Sequence, residues 1–330
     1  MRVLVTGGAG YIGSVVADVL LERGHDVAVV DSLFRGNREA VDGRTALHEV
    51  DLRDRVGLDA VFAGFRPDAV MHFAALTLVP ESVRDPGPYF DVNVGGTITL
   101  LEAARAHDVG RVVASSTAAV YGEPDVLPIP EDAEKRPVNP YGQSKLMVEQ
   151  VLTAHHAAYG TNFVAFRYFN VAGARGRLGE DHRPETHLIP SILLTAQGRR
   201  PAFDLYGTDY PTPDGTAVRD YVHVEDLADA HVAALPLLDA NIGPLNLGTA
   251  AGFSVREVLD AAAEVTGRPV PTQLRPRRAG DPPALLADAR KAGELLDWHP
   301  VRSNLRDMVG SAWTWMQEHP DGYAGPRSTA

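Results

Sequence analysis

The chain begins Arg2-Val3-Leu4-Val5-Thr6-Gly7-Gly8-Ala9-Gly10-Tyr11-Ile12-Gly13. The apolar Val3-Leu4-Val5, between Arg2 and Thr6, runs straight into glycines at 7, 10 and 13, and a helical pattern follows over 11–23. This order of strand, glycine turn and helix decides the fold. The first glycine permits the tight turn, the second lets a diphosphate approach the backbone, and the third lets the helix pack against the strand. A glycine triplet alone is a weak signal. Its placement between a strand and a helix makes dinucleotide binding the stronger reading.

Working outward, apolar runs at 26–31, 46–50, 69–73 and 111–115 read as further buried strands. The stretches 54–65 and 88–107 between them read as helices. Such alternation predicts an α/β fold, a Rossmann-type doubly wound parallel sheet with helices on both faces. Pro140 opens a long helix to about Tyr159, and 163–168 reads as another buried strand. Beyond Asn170 the composition shifts to Gly, Pro, Arg and His, with a helical patch at 190–196, a strand at 218–222 and helices at 224–238 and 254–266. The expected organisation is a dinucleotide-binding domain over 1–170, helped by about 217–240, and a smaller substrate-binding lobe over most of 171–330. That lobe reads as insertions rather than an independent domain. The end of the chain, from about Asp321, reads as disordered.

Composition sets bounds. The 330 residues are 45% hydrophobic and 22% charged, an ordinary globular balance. The net charge of −12 argues against nucleic acid or an anionic membrane as the main partner. There is no cysteine, so disulfides, thiolate zinc sites and cysteine nucleophiles are excluded. With no signal-peptide pattern and no apolar run long enough to span a bilayer, a cytoplasmic protein is expected.

Asp31 ends the second strand, 18 residues after Gly13. A carboxylate there accepts hydrogen bonds from the adenosine ribose and repels a 2′-phosphate, which favours NAD over NADP. Asp51 and Leu52, after the third strand, read as contacts to the adenine. Tyr141 and Lys145 are one helical turn apart on one face. An ammonium near a phenol favours the phenolate, so this tyrosine reads as a proton acceptor. Thr117 follows the fifth strand, where ligands of open parallel sheets bind.

Thr117, Tyr141 and Lys145, behind that glycine loop, resemble the extended branch of the short-chain dehydrogenase/reductase superfamily. The stretches His72-Phe73-Ala74-Ala75, Glu81-Ser82-Val83, Arg167-Tyr168-Phe169-Asn170, Tyr210-Pro211-Thr212 and Arg219-Asp220-Tyr221-Val222-His223 narrow the resemblance to the UDP-glucose 4-epimerase family, over nearly the whole chain. The resemblance implies reversible C4 epimerisation of a UDP-hexose through a 4-keto sugar. Tyr141 takes the 4-hydroxyl proton, Lys145 lowers the tyrosine pKa, and Thr117 relays the proton. It also implies that NAD is held by Gly7, Gly10, Tyr11, Ile12, Gly13, Asp31, Asp51, Leu52, Phe73, Ala74, Ala75, Asn93, Tyr141, Lys145 and Tyr168. The UDP-sugar is expected to meet Thr117, Phe169, Asn170, Leu188, Tyr206, Arg219, Tyr221, Arg278, Asp281 and Leu285, with Gly280 preceding Asp281 as in the family. A homodimer through 88–107 and 140–159 is also implied.

Departures matter too. Thr77 stands where several relatives carry a lysine near the diphosphate. Leu285 stands at the position that gates the sugar 2-substituent, so N-acetylated UDP-hexoses are candidate substrates. Ala118 and Ala119 follow Thr117, where sugar-nucleotide 4,6-dehydratases carry an Asp-Glu pair. UDP-glucuronate epimerases or decarboxylases, and a non-catalytic NAD-sensing regulator, remain as alternatives. His72 reads as a packed core residue. The other histidines lack an H-x-x-x-H spacing, and no metal site is expected.

Overall fold

The computed structural model describes residues 1–278 and 281–323. Gly280 and the chain after Tyr323 lie outside them. The strands are β1 (Arg2–Thr6), β2 (Asp26–Asp31), β3 (Ala46–Glu49), β4 (Ala69–His72), β5 (Arg111–Thr117), β6 (Asn162–Tyr168), β7 (Asn170–Ala172), β8 (Phe203–Tyr206), β9 (Val218–Arg219), β10 (Tyr221–His223), β11 (Gly243–Leu247), β12 (Phe253–Ser254), β13 (Thr272–Arg275) and β14 (Ala284–Leu285). Seven of them form one parallel sheet in the order β11-β6-β5-β4-β1-β2-β3.

Alternate residues of each strand leave the sheet on opposite sides, and both sides are covered. Val3, Val5, Val27, Val29 and Phe166 join Val15, Leu20 and Leu227 on one face. Leu4, Ala28, Val30 and Val70 join Leu58, Phe62 and Leu100 on the other, where Ala114 and Ala165 pack on Val148 and Leu152. This two-sided burial is why the strands read as continuous apolar runs. The order turns at β1, flanked by β4 and β2. Crevices at such switch points are where these sheets bind ligands.

Several expected elements differ. The 218–222 stretch is two strands: β9 pairs with β12 and β14, and β10 with β7. The seventh strand of the main sheet is β11 at 243–247, beyond the 217–240 stretch expected to contribute. Asp220 causes the break. Its buried carboxylate accepts from the Thr249, Ala250 and Ala287 backbone N–H groups and the Thr249 hydroxyl. The 88–107 helix is interrupted by a π-helical turn, Phe90–Gly95, before Gly96–Ala106. Within the stretch expected to be disordered, Tyr323 is buried, with its N–H donating to Asp181 and its ring against Trp315, and 324–330 lie outside the described residues.

Helices Leu188–Ala196, Val255–Thr266 and Leu305–Glu318 pack on the same apolar cluster that backs the main sheet. Phe203–Tyr206 and Thr272–Arg275 add a parallel pair. No helix among the described residues is long and apolar enough to cross a membrane.

Candidate active site

The glycine loop is shaped by what surrounds it. Gly7 has φ +73°, and a Cβ there would lie 2.5 Å from the Ala74 nitrogen. A Cβ on Gly13 would lie 2.2 Å from the Gly7 carbonyl oxygen. Both positions therefore require glycine. Ala74 is brought close because its N–H and that of Phe73 donate to the Thr6 carbonyl. The Tyr11–Glu22 helix starts at Gly10 with no side-chain cap. Its first N–H groups thus face the loop as an anion cradle.

Asp31 closes the far side. Its carboxylate accepts from the Ala9 N–H at 3.0 Å and the Leu33 N–H at 2.9 Å. Burial nevertheless raises its pKa, the two N–H bonds offsetting only part. Gly36 packs against it, where a Cβ would come within 2.7 Å. A side-chain-free cradle, an uncapped helix start and a buried carboxylate together suit an adenosine diphosphate. Asp51 is engaged by Arg53, and the Leu52 side chain lies in the core against Leu4 and Leu58. Asn93 accepts from the Leu76 N–H and donates to the Leu76 carbonyl and Ser144. It pins the loop after β4 to the Pro140–Tyr159 helix.

That helix carries Tyr141 and Lys145. Asn139 caps it by accepting from the Gly142 N–H at 2.8 Å, and Pro140 pre-sets its first turn. The Tyr141 N–H donates to the Ser82 hydroxyl. Lys145 is buried, and its ammonium donates to the Ser115 carbonyl at 2.9 Å and the Ser115 hydroxyl at 3.0 Å. Desolvation lowers its pKa to about 8, with Glu149 opposing. Thr117 ends β5, and its hydroxyl accepts from the Ala119 N–H at 3.2 Å.

The phenol differs from expectation. Burial raises the Tyr141 pKa, and the nearby Thr117 hydroxyl offsets only part. In the cofactor-free chain the desolvation cost of a phenolate dominates. Tyr168, at the end of β6, bonds His231 at 2.6 Å and is raised further still by burial.

A group the sequence reading passed over supports the site. Glu149 accepts from Ser116 at 2.6 Å and takes a two-pronged ion pair from Arg167, at 2.9 and 2.6 Å. Arg167 also donates to the Tyr121 hydroxyl and the Glu131 carbonyl. The signal was an Arg and a Glu inside stretches otherwise buried. His72 is a core residue, as expected, held between Thr6 and Thr97.

The second half of the cleft comes from the lobe. Register places Leu285 beside Arg219. Arg219 donates to the Val218 and Pro282 carbonyls and lies 3.3 Å from Asp281. Arg278 lies over the Tyr206 ring, 4.0 Å from its centroid, and makes no ion pair among the described residues. Its neighbours Arg275 and Arg277 pair with Asp204 and Asp209. Phe169 and Leu285 pack on one apolar cluster with Ala118, Val120 and Tyr121. Asn170 donates to the Asp220 carbonyl at 2.8 Å, Tyr221 is buried near Phe253, and half-buried Leu188 opens its helix.

The chain belongs to the NAD dependent epimerase/dehydratase family, whose model matches residues 3–248. Within that class it is similar to the UDP-glucose 4-epimerase of Lacticaseibacillus casei, at 50% identity over 98% of this chain and 99% of that one. It is also similar to the crystal structure of UDP-glucose 4-epimerase from Brucella ovis in complex with NAD, with TM-score 0.93, 46% identity and 95% and 97% of the two chains covered. The UDP-glucose 4-epimerase from Bifidobacterium longum in complex with NAD⁺ and UDP superposes with TM-score 0.92 at 40% identity, covering 98% of this chain and all of that one.

Proposed function

We propose that this chain interconverts UDP-glucose and UDP-galactose by reversible oxidation at C4, with NAD held throughout. The observation that carries the reading is Tyr141 one helical turn from buried Lys145, whose ammonium is tied to Ser115 two residues before Thr117, beside a glycine loop built for a diphosphate. Whole-length similarity to curated UDP-glucose 4-epimerases supports it. Gly7, Gly10, Gly13 and the Tyr11 and Ile12 N–H groups hold the cofactor diphosphate, and Asp31 the adenosine ribose. Bound NAD supplies a hydride acceptor for the sugar C4 and a positive ring charge that favours the phenolate of Tyr141.

Tyr141 then removes the 4-hydroxyl proton, and Thr117 bridges phenol and sugar oxygen. Lys145 fixes the helix turn against β5 and holds the nicotinamide ribose. The 4-keto sugar swings about its bond to the diphosphate and presents its other face. Hydride would return from the reduced cofactor to C4 on that face, while Tyr141 returns the proton to the C4 oxygen. Arg219 and Arg278 take the substrate diphosphate, because a guanidinium donates two parallel hydrogen bonds. Asp281 takes the uridine ribose. Phe169, Asn170, Leu188, Tyr206 and Tyr221 line the sugar and uracil path. Ala118 and Ala119 offer no acid or base for water elimination, which disfavours the dehydratase reading.

A second substrate class follows from Leu285. It shares an apolar cluster with Phe169 and adjoins Arg219, so the wall it forms is aliphatic. A leucine leaves more room than a tyrosine, and N-acetylated UDP-hexoses belong within the reading. A homodimer and a cytoplasmic location, where NAD and UDP-sugars are supplied, complete it. The deciding experiment mixes the protein as purified with UDP-galactose and no added NAD. UDP-glucose as product supports the reaction and the retained cofactor. A 4-keto-6-deoxy sugar, carbon dioxide from UDP-glucuronate, or no turnover even with NAD added overturns it.

A further inference from the structure

Away from Tyr141 and Lys145, Glu180, His182, Glu185 and His187 fall within eight residues and turn ligand-type atoms toward one point. His182 Nδ1 lies 3.0 Å from Glu180 Oε1 and 4.0 Å from Glu185 Oε2. His187 Nδ1 lies 2.8 Å from Glu180 Oε1 and 3.1 Å from Glu185 Oε1. One atom from each residue lies within 4.8 Å of all the others. A tetrahedral ion with bonds of about 2.0–2.1 Å holds its ligand atoms roughly 3.3 Å apart. The observed separations straddle that value.

Burial sharpens the argument. Both carboxylate side chains are only 8% exposed. Two carboxylates so close need positive charge between them. Protonated imidazoles supply it in one state. A divalent cation on neutral imidazoles supplies it in another, with protons released. His187, at 46% exposure, leaves a path for an ion to enter. The spacing is E-x₄-E and H-x₄-H in an extended loop rather than a helix, so a search for H-x-x-x-H passes over it.

We propose that Glu180, His182, Glu185 and His187 form a site for one zinc-class divalent ion, bound by two imidazole nitrogens and two carboxylate oxygens. Four mixed N/O ligands suit zinc. Magnesium and calcium favour six or more oxygens and fit poorly. Glu180 lies within electrostatic reach of Tyr11, whose hydroxyl donates to the Gly173 carbonyl at 2.5 Å. His187 immediately precedes Leu188 and the Leu188–Ala196 helix. The ion therefore fixes the segment that leads into the substrate lobe. It takes no part at the reacting carbon, and the proposal does not depend on which sugar is turned over.

The test uses the full chain, stripped with a chelator, dialysed and titrated with Co²⁺ and then Zn²⁺. Visible absorption, metal content and proton release are recorded. One equivalent of Co²⁺ should bind with intense tetrahedral bands that Zn²⁺ bleaches. His182→Ala and Glu185→Gln should each weaken binding by more than about 100-fold, since each removes a ligand from a four-ligand set. Half-exposed His187→Asn serves if either fails to fold, as judged by circular dichroism. Failure of the wild-type chain to bind overturns the proposal. So does a six-coordinate spectrum, or wild-type binding in the folded variants, which would put the ion elsewhere.

Discussion

The Lys145 ammonium reaches Ser115 twice, through its carbonyl at 2.9 Å and its hydroxyl at 3.0 Å. Ser115 and Thr117 lie two apart on β5 and so share a face of the strand. The lysine therefore locks one turn of its helix to the strand that ends in Thr117, and Tyr141 sits one turn earlier. The four-residue spacing works here as a positioning device as much as an electrostatic one. The same desolvation pushes Lys145 down and Tyr141 up.

Removing the phenolic hydroxyl tests the proton step directly. Tyr141→Phe keeps the ring and its packing. Turnover should fall by about 10²–10⁴-fold, the usual worth of a positioned acid–base group. NAD retention, read by absorbance after gel filtration, should persist. Unchanged turnover would remove Tyr141 from the mechanism.

Lys145 gives a pH signature in the cofactor-free chain. Its folded pKa of about 8 lies below the ordinary 10.5. Between these values the unfolded chain binds more protons than the folded one, so stability rises with pH across that window. Lys145→Met lacks this contribution. Urea unfolding at pH 7.5 and pH 10 should show the wild type gaining on the variant. A difference independent of pH would mean that the ammonium is not desolvated as described.

Glu149 and Arg167 lie beneath the site with side chains 6% and 2% exposed. Glu149→Gln leaves a buried guanidinium without its counter-charge and should cost about 3–5 kcal/mol in denaturant unfolding. The double variant Glu149→Gln/Arg167→Met should lose less than the sum of the single losses, because the two act as one pair. Additive losses would contradict the pairing.

How far these residues could be read from sequence depended on what buried them. The strands at 2–6, 26–31 and 163–168 were legible because both faces are covered by helices, which leaves uninterrupted apolar runs. β11 is harder to read, with only Leu245 and Leu247 apolar around a polar Asn246. Its head is Gly243-Pro244, and its polar Asn246 is buried by donating to the Ile129 carbonyl and accepting from Tyr121. The break at Asp220 was invisible, since its partners at 249, 250 and 287 are distant in sequence. Tyr141, Lys145 and Thr117 were legible from spacing and strand end. The direction of the Tyr141 shift was not, because desolvation is set by the whole fold.

Asp31 predicts an acid limit on cofactor retention. Burial raises its pKa, so on acidification it gains a proton before an ordinary aspartate does. The neutral form gives the ribose hydroxyls a poorer acceptor. NAD dissociation should therefore quicken on acidification before an ordinary aspartate would titrate. In Asp31→Asn, retention should be weak at every pH and lose that acid dependence. An unchanged profile in the variant would place the titrating group elsewhere.

The most discriminating substitution is at Leu285. Its side chain meets the cluster that contains Phe169, and its backbone pairs beside Arg219. Leu285→Tyr adds a ring to a wall already backed by Ala118 and Val120, and in this reading its bulk projects toward the sugar. For UDP-glucose the 2-hydroxyl is small, and turnover should stay within a few-fold. For UDP-N-acetylglucosamine the acetamide meets the ring. Its kcat/KM should fall by at least about tenfold relative to UDP-glucose, the scale at which a misfit of one or two heavy atoms discriminates. The measurement is the ratio of the two kcat/KM values in wild type and variant under the same conditions. If the wild type shows no turnover of the N-acetylated sugar, another residue closes the pocket. If the ratio does not change in the variant, the acetamide passes by a different wall.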